Sequence, residues 1–237
     1  RRIMKKRLLA LAFAVVMAAG AFAGCSSSDK KTDEKPADET TTDGAESTGE
    51  KYIIATDTVF PPFEFTDANG NFVGIDVDIM NAIAEDQGFE VEIQSLGFDA
   101  ALLAVQTGQA DGVIAGMSIT DKRKETFDFS DPYYTADVTM AVAKGSDIKT
   151  LDDLKGKTVA VKTATNGADY AKSIADQYGF SIVEFKDSPT MYQDVIAGNT
   201  AACFEDYPVM AYNIQQGAGL EIPEGMTAAG SDYGFAV

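Results

Sequence analysis

The sequence contains no histidine. That absence removes imidazole acid–base catalysis, Ser–His and Cys–His nucleophile pairs, and imidazole metal ligation. Cysteine is nearly absent as well. Cys25 and Cys203 are the two present, and they make no disulfide framework. Cys203 lies in the apolar run Ala201-Ala202-Cys203-Phe204 and reads as a small buried residue. There is no glycine-rich phosphate loop, no dinucleotide fingerprint and no solenoid-type repeat. Basic residues are scarce: 19 Lys and Arg against 37 Asp and Glu give a net charge of −18. Five of the basic residues and no acidic one precede Cys25, so the rest of the chain is more acidic still. Such a surface argues against nucleic acid and against anionic lipid as partners. A bilayer-spanning run is missing too. Residues 8–23 are apolar but fall short of the roughly 20 residues a spanning helix needs.

What is present begins with Arg1, Arg2, Lys5, Lys6 and Arg7, then that apolar run, then Ala23-Gly24-Cys25. Basic, apolar and small residues in this order make residues 1–24 a lipoprotein signal peptide, with Cys25 the lipidated residue. Phe22 stands where the lipobox pattern usually has leucine, and the alternative is an ordinary secretory peptide. Residues 25–50 are rich in Ser, Thr, Asp, Glu and Lys and lack aromatics. They cannot bury enough apolar surface to offset ordering and should form a disordered polar tether. The expected location is the extracytoplasmic face of the cell membrane, held by the lipid.

From Lys51 onward strand and helix signals alternate. Strands are expected at 52–55, 89–93 and 112–115. Helices are expected from Asp76 to just before Gly88, at 98–105, and briefly through Arg123 behind a Ser118 or Thr120 cap. The pattern then restarts. Strands are expected at 138–143, 158–161, 181–185 and 201–204, and helices at 150–154, 166–178, 190–196 and 206–215, with Pro208 in a first turn. Two tandem α/β units imply two lobes, with a ligand in the cleft between them, beyond the carboxyl ends of the strands. Lobe 1 is assigned to 51–136, lobe 2 to 137–229, and 230–237 to a return strand to lobe 1. Two strands near 134–138 and 231–235 should join the lobes.

Four segments could carry chemistry. The first runs from Ala55 to Phe65, where Phe60, Phe63 and Phe65 flank Pro61-Pro62. Two of these rings read as core and one as a pocket wall. The second is Gly97-Phe98, with Phe98 either core or a second wall. The third is Gly116-Met117-Ser118-Ile119-Thr120-Asp121-Lys122-Arg123. Here hydroxyls, a helix start and an arginine fork suit a carboxylate, while Lys122 and Lys124 read as solvated. The fourth is Glu205-Asp206-Tyr207-Pro208, where Asp206 is a helix cap, a cation ligand, or both. Arginine on one lobe facing aspartate on the other would hold a zwitterion.

Together these segments resemble the polar-amino-acid family of bacterial solute-binding proteins, the receptors of ATP-driven (ABC) importers. The likeness covers nearly all of 51–237. Its most specific stretches are Ala55-Thr56-Asp57-Thr58, Gly74-Ile75-Asp76-Val77-Asp78, Ile119-Thr120-Asp121-Lys122-Arg123, Phe129-Ser130-Asp131, Val159-Ala160-Val161-Lys162 and Asp169-Tyr170-Ala171. The resemblance implies a periplasmic-binding fold of two α/β lobes on two hinge strands, a monomer, no cofactor, no metal and no catalytic residue. It implies capture of a free polar L-amino acid, glutamine-like by preference, and delivery to a membrane permease. By the same resemblance Phe60 and Phe98 flank the ligand's stem. Arg123 takes its carboxylate, with backbone N–H groups near Ser118 and Thr165. Asp206, Gly116 and Ser118 take its ammonium, with Met117 between them. Asp57 and Lys162 meet its side-chain end. Asn166 stands where the glutamine-binding members have glycine, and Glu205 where they have histidine. Both adjoin the binding site. In the family the chain goes on to add further lobe 1 elements after the second crossing, so lobe 1 is expected to be truncated here. The rival readings are an envelope dehydratase of the arogenate or prephenate type on the same fold, and a soluble amino-acid sensor for a receptor.

Overall fold

The computed structural model describes residues 49–237. The expected signal peptide, Cys25 and all but the end of the expected tether lie outside those residues. Strand β1 (Lys51–Thr56) lies in the middle of a parallel three-stranded sheet. Its neighbours are β4 (Glu90–Ser95) on one side and β5 (Gly112–Val113) on the other. Between β1 and β4 the chain makes a small antiparallel hairpin, β2 (Phe65–Thr66) and β3 (Phe72–Val73), then helix α1 (Ile75–Gln87). Helix α1 ends in left-handed Gly88, the usual glycine stop. Helix α2 (Phe98–Gln106) follows β4 and turns Phe98, Ala101 and Ala104 onto the sheet.

Asp76 was expected to cap α1. Gly74 occupies the cap position instead, and Asp76 lies inside the first turn with no solvent exposure. Gly74 has φ 139°, and a Cβ there would sit 2.1 Å from the Phe63 carbonyl oxygen. That close approach, which only glycine permits, draws the helix start onto the Phe63 turn and carries Asp76 inward. At the short helix α3 (Asp121–Lys124) the cap is Thr120, whose hydroxyl accepts from the Arg123 N–H at 3.2 Å.

The long strand β6 (Tyr134–Ala143) leaves this first lobe and enters a six-stranded sheet. The order there is β10-β6-β9-β7-β8, with β11 also paired to β6. The parallel strands are β7 (Thr158–Lys162), β8 (Ser181–Phe185) and β9 (Ala202–Asp206), while β10 is Leu220–Glu221. Alternation along β7 sends Val159 and Val161 to one face and Ala160 to the other. The first face packs on helix α4 (Asn166–Tyr178). The second packs on α5 (Ser188–Ile196) and α6 (Tyr207–Gln215). Cys203 is fully buried on that second face, and burial pushes its thiol pKa well up. Strand β11 (Thr227–Tyr233) returns antiparallel to β6, pairing Tyr233 with Tyr134. Beyond it Ala236 exchanges backbone hydrogen bonds with Val113, at the edge of the first sheet. Two lobes thus share one pair of crossing strands, and the carboxyl ends of β1, β7 and β9 meet between them.

Candidate functional site

Asp57 directly follows β1, and Lys162 is the last residue of β7. Each belongs to a different lobe, and their side chains meet at 2.6 Å with only 2% of either exposed. The other Asp57 oxygen accepts the Thr58 N–H at 2.7 Å. The Lys162 ammonium also lies 4.3 Å from the centre of the Phe60 ring and 5.6 Å from that of Phe98. Burial by itself would lower the Lys162 pKa. The charges of Asp57 and Glu205 and the hydrogen bond to Asp57 outweigh burial, and the net shift is upward.

Phe60 and Phe98 are both buried walls of this space. Phe63 is wholly buried against Tyr134 and Tyr233, while Phe65 is partly exposed and rests on Tyr212. Gly116 ends the run after β5 with φ 52°, and a Cβ there would meet the Phe60 ring at 2.5 Å. The turn is therefore built for glycine. Met117 points into the first lobe's core and does not line the cavity. Ser118 does line it.

Arg123 leans over the Phe98 ring, 5.3 Å from its centre. Its guanidinium donates to the Ser118 carbonyl at 2.7 Å and, across the lobes, to the Ala164 carbonyl at 2.9 Å. Burial lowers its pKa, against the raising pull of Asp206 and Asp169. Ala164 is held at φ 65° just before Thr165, which caps α4 by accepting the Ala168 N–H at 3.2 Å. Thr165 and Asn166 complete the wall on that side.

Asp206 occupies the cap position of α6, yet its side chain makes no cap hydrogen bond. It turns into the cavity, where the Tyr233 hydroxyl donates to it. Burial, then the neighbouring Glu205 charge, push its pKa to about 7, against the lowering effect of Tyr233, Lys162 and Arg123. Glu205 faces the opposite way, as adjacent strand residues must. Its carboxylate accepts from Ser188 at 2.6 Å, Tyr192 at 2.9 Å and the Asp206 N–H at 3.0 Å, and it does not line the cavity.

The structure thus brings Phe60, Phe98, Gly116, Ser118, Arg123, Lys162, Thr165, Asn166 and Asp206 around one small space, with Asp57 behind Lys162. The space measures about 10 Å³, at the lower limit for a single water. Tyr233 is the polar partner that sequence reasoning missed. It lies 27 residues beyond Asp206, and the signal that could have found it is its place in the second crossing strand. Arg123 and Asp206 line the cavity without pairing with each other, so each keeps donor or acceptor capacity for a third species. Among the described residues no group of three or more Cys, Asp and Glu is arranged to hold a metal ion.

Residues 52–202 match the family model for bacterial extracellular solute-binding proteins, family 3. The arginine-binding extracellular protein ArtP of Bacillus subtilis is 35% identical over 170 residues, 71% of this chain and 66% of that protein. The chain therefore spans just under two thirds of that relative's length. An ancestral arginine-binding protein bound to arginine is 39% identical, with a TM-score of 0.74 over 79% of this chain and 84% of that one. An ancestral arginine-binding protein bound to glutamine gives 40% identity and a TM-score of 0.72, over 79% of this chain and 83% of that one. The second substrate-binding domain of Lactococcus lactis GlnP, in an open conformation, is 43% identical with a TM-score of 0.55, over 82% of this chain and 84% of that one. Each of these relatives is described as a binding protein or binding domain.

Proposed function

The chain belongs to the bacterial extracellular solute-binding proteins of family 3, and from that premise we propose that it captures a free polar L-amino acid between its lobes. Arg123 and the N–H groups near Ser118 and Thr165 receive the α-carboxylate. Asp206, the Gly116 carbonyl and the Ser118 hydroxyl receive the α-ammonium. Phe60 and Phe98 flank the stem, and Asp57 with Lys162 meets the side-chain end. The observation that carries this reading is that Arg123, from the first lobe, and Asp206, from the second, line one cavity without pairing with each other. Each charge-assisted contact contributes about 1.5–3 kcal/mol.

A neutral, glutamine-like side chain suits the site best, because Lys162 already supplies the cation that Asp57 requires. An amide would accept from Lys162 and donate to Asp57. A second reading rests on the same contact: Asp57 and the two aromatic rings already hold a cation, so a basic amino acid could take that place if Lys162 swung aside. Hinge closure on the crossing strands β6 and β11 would enclose the ligand. The greater likeness to a ligand-bound relative than to an open one supports that movement. The closed form would then dock on an ABC permease, while a lipid on Cys25 keeps the protein at the membrane.

Titration calorimetry of the purified protein against the twenty L-amino acids tests the capture. Heat with glutamine and little with arginine is expected. No heat with any of them would remove the proposal, and tighter arginine binding would select the second reading. Cys25→Ala should release the protein from the membrane fraction.

A further inference from the structure

Three carboxyl oxygens in the first lobe are buried with no donor from any neutral or basic group: both oxygens of Glu64 and Oδ1 of Asp76. Both residues are 0% exposed. The remaining Asp76 oxygen, Oδ2, accepts the Gly116 N–H at 2.7 Å and the Tyr133 hydroxyl at 3.0 Å. A buried carboxylate with no donor is costly, and two charged carboxylates side by side are costlier. One proton pairs two of the three orphan atoms, a Glu64 oxygen and Asp76 Oδ1, and leaves the third as the uncharged carbonyl oxygen of a neutral acid, which costs less to bury than a carboxylate.

We propose that Glu64 is a neutral carboxylic acid donating its proton to Asp76, and that this acid–carboxylate pair is the positioning device for the Gly116 turn. The inference rests on the amino-acid-binding reading only in giving that turn a ligand. The pair itself stands on the full burial of both carboxyls, on their orphan oxygens, and on the 2.9 Å hydrogen bond from the Asp76 N–H to the carbonyl of Phe63, the residue before Glu64.

The proton belongs on Glu64 because the two sites differ. Asp76 sits in the first turn of a 13-residue helix, where the N-terminal partial charge favours an anion, and it receives two donors. Glu64 receives none. The charged and titratable groups facing Glu64 are Asp76 from α1, Asp57 beyond β1 and Lys162 from β7, while Tyr133 faces Asp76. Lys162 is the only cation among them, and Asp57 already holds it at 2.6 Å. Burial, then the charges of Asp76 and Asp57, raise the Glu64 pKa well above its ordinary value. For Asp76 burial raises the pKa to about 6, held down by Gly116, Tyr133 and Glu64.

The link to the site is direct. Gly116 packs against the Phe60 ring at a φ of 52°, and its N–H is fixed by Asp76. An ionised acceptor holds that N–H more strongly than a neutral one. Glu64 keeps Asp76 ionised by donating to its other oxygen. Losing that donor would let Asp76 take up a proton and loosen its hold on Gly116.

The test uses the ligand-free protein, so a failure to bind any amino acid would not touch it. Infrared spectra at about pH 8, above the values reached by Asp76 and Asp206, should contain the carbonyl stretch of a buried neutral carboxylic acid. Glu64→Gln should abolish that band. Hydrogen exchange of the Gly116 amide should stay slow in Glu64→Gln, which still donates to Asp76. In Glu64→Leu it should quicken by about tenfold or more relative to the Ile114 amide, an internal reference on the same lobe. No neutral-acid band in the parent, or a band surviving in Glu64→Gln, would overturn the shared proton. Equal Gly116 exchange in all three proteins would overturn the positioning role. If Glu64→Leu does not fold, the band and the behaviour of Glu64→Gln still decide the matter.

Discussion

The Lys162 ammonium and the Asp57 carboxylate meet at 2.6 Å across the two lobes, each almost entirely buried. The contact joins the carboxyl end of β7 to that of β1, so it ties the lobes, and Lys162 lines the cavity at the end proposed for the ligand side chain. Removing one partner of such a pair strands the other charge and costs about 3–5 kcal/mol. Lys162→Met should therefore lower stability by that order in denaturant titration. Asp57→Leu combined with Lys162→Met should recover most of it.

The same pair bears on ligand choice. With Lys162 replaced by Met, Asp57 loses its built-in cation and the Phe60 and Phe98 faces are freed. Affinity for arginine relative to glutamine should then rise by about tenfold or more, the worth of one charge-assisted contact. Competition calorimetry of parent and variant reads that ratio. An unchanged ratio would mean that Lys162 does not face the ligand.

Arg123 offers a planar fork, and one of its nitrogens is already given to Ser118 and another to Ala164. A lysine there keeps the charge but loses the fork. Arg123→Lys should weaken amino-acid binding by about tenfold to a hundredfold, corresponding to about 1.5–3 kcal/mol. If calorimetry gave the parent affinity, the carboxylate would have to be bound elsewhere.

Much of this site was legible before any coordinates. Helix 166–178 and strand 181–185 were expected at the bounds observed, the helix because Tyr170, Ala171, Ile174 and Tyr178 are spaced for one face. What escaped has physical causes. The strands Phe65–Thr66, Phe72–Val73 and Leu220–Glu221 are two residues long, too short for periodicity to register. The family resemblance put both Glu205 and Asp206 at the site, but strand alternation gives the cavity to Asp206 and sends Glu205 to Ser188 and Tyr192. Asp76 read as a cap because aspartate at a helix start usually is one. Its real partner, Gly116, lies 40 residues away, and no local pattern carries that information.

Asp206 gives binding a pH dependence. Its pKa of about 7 means that at lower pH a proton must leave before an ammonium can be held. Affinity should be nearly flat above about pH 7 and fall by up to about tenfold per unit below it. Protons should be released on binding near about pH 6. Tyr233→Phe removes a hydrogen bond that lowers the Asp206 pKa, so the break should move to higher pH. Calorimetry in buffers of different ionisation enthalpy measures both effects. A profile flat through this range would take Asp206 out of the ammonium site.

Stability should also run against the usual trend for an acidic protein. Burial raises the folded-state pKa of Glu64, of Asp76 to about 6, and of Asp206 to about 7. Groups raised in this way contribute stability that is full below their unfolded values and is lost as pH climbs through the folded ones. The exposed carboxylates Glu92 and Asp153, lowered by hydrogen bonds from Lys51 and from Lys149 and Thr150, act in the opposite sense and only at more acid pH. Lys162, raised above 10.5, stays charged throughout. The ligand-free protein should therefore melt at a higher temperature near about pH 5 than near about pH 8. Saturating amino acid should narrow the gap, because its ammonium stabilises ionised Asp206 and offsets that residue's share of the loss. Melting curves across that range, with and without ligand, check the sign. A melting temperature that rises steadily from pH 5 to pH 8 without ligand would mean that these three carboxyl groups do not retain their protons in the fold.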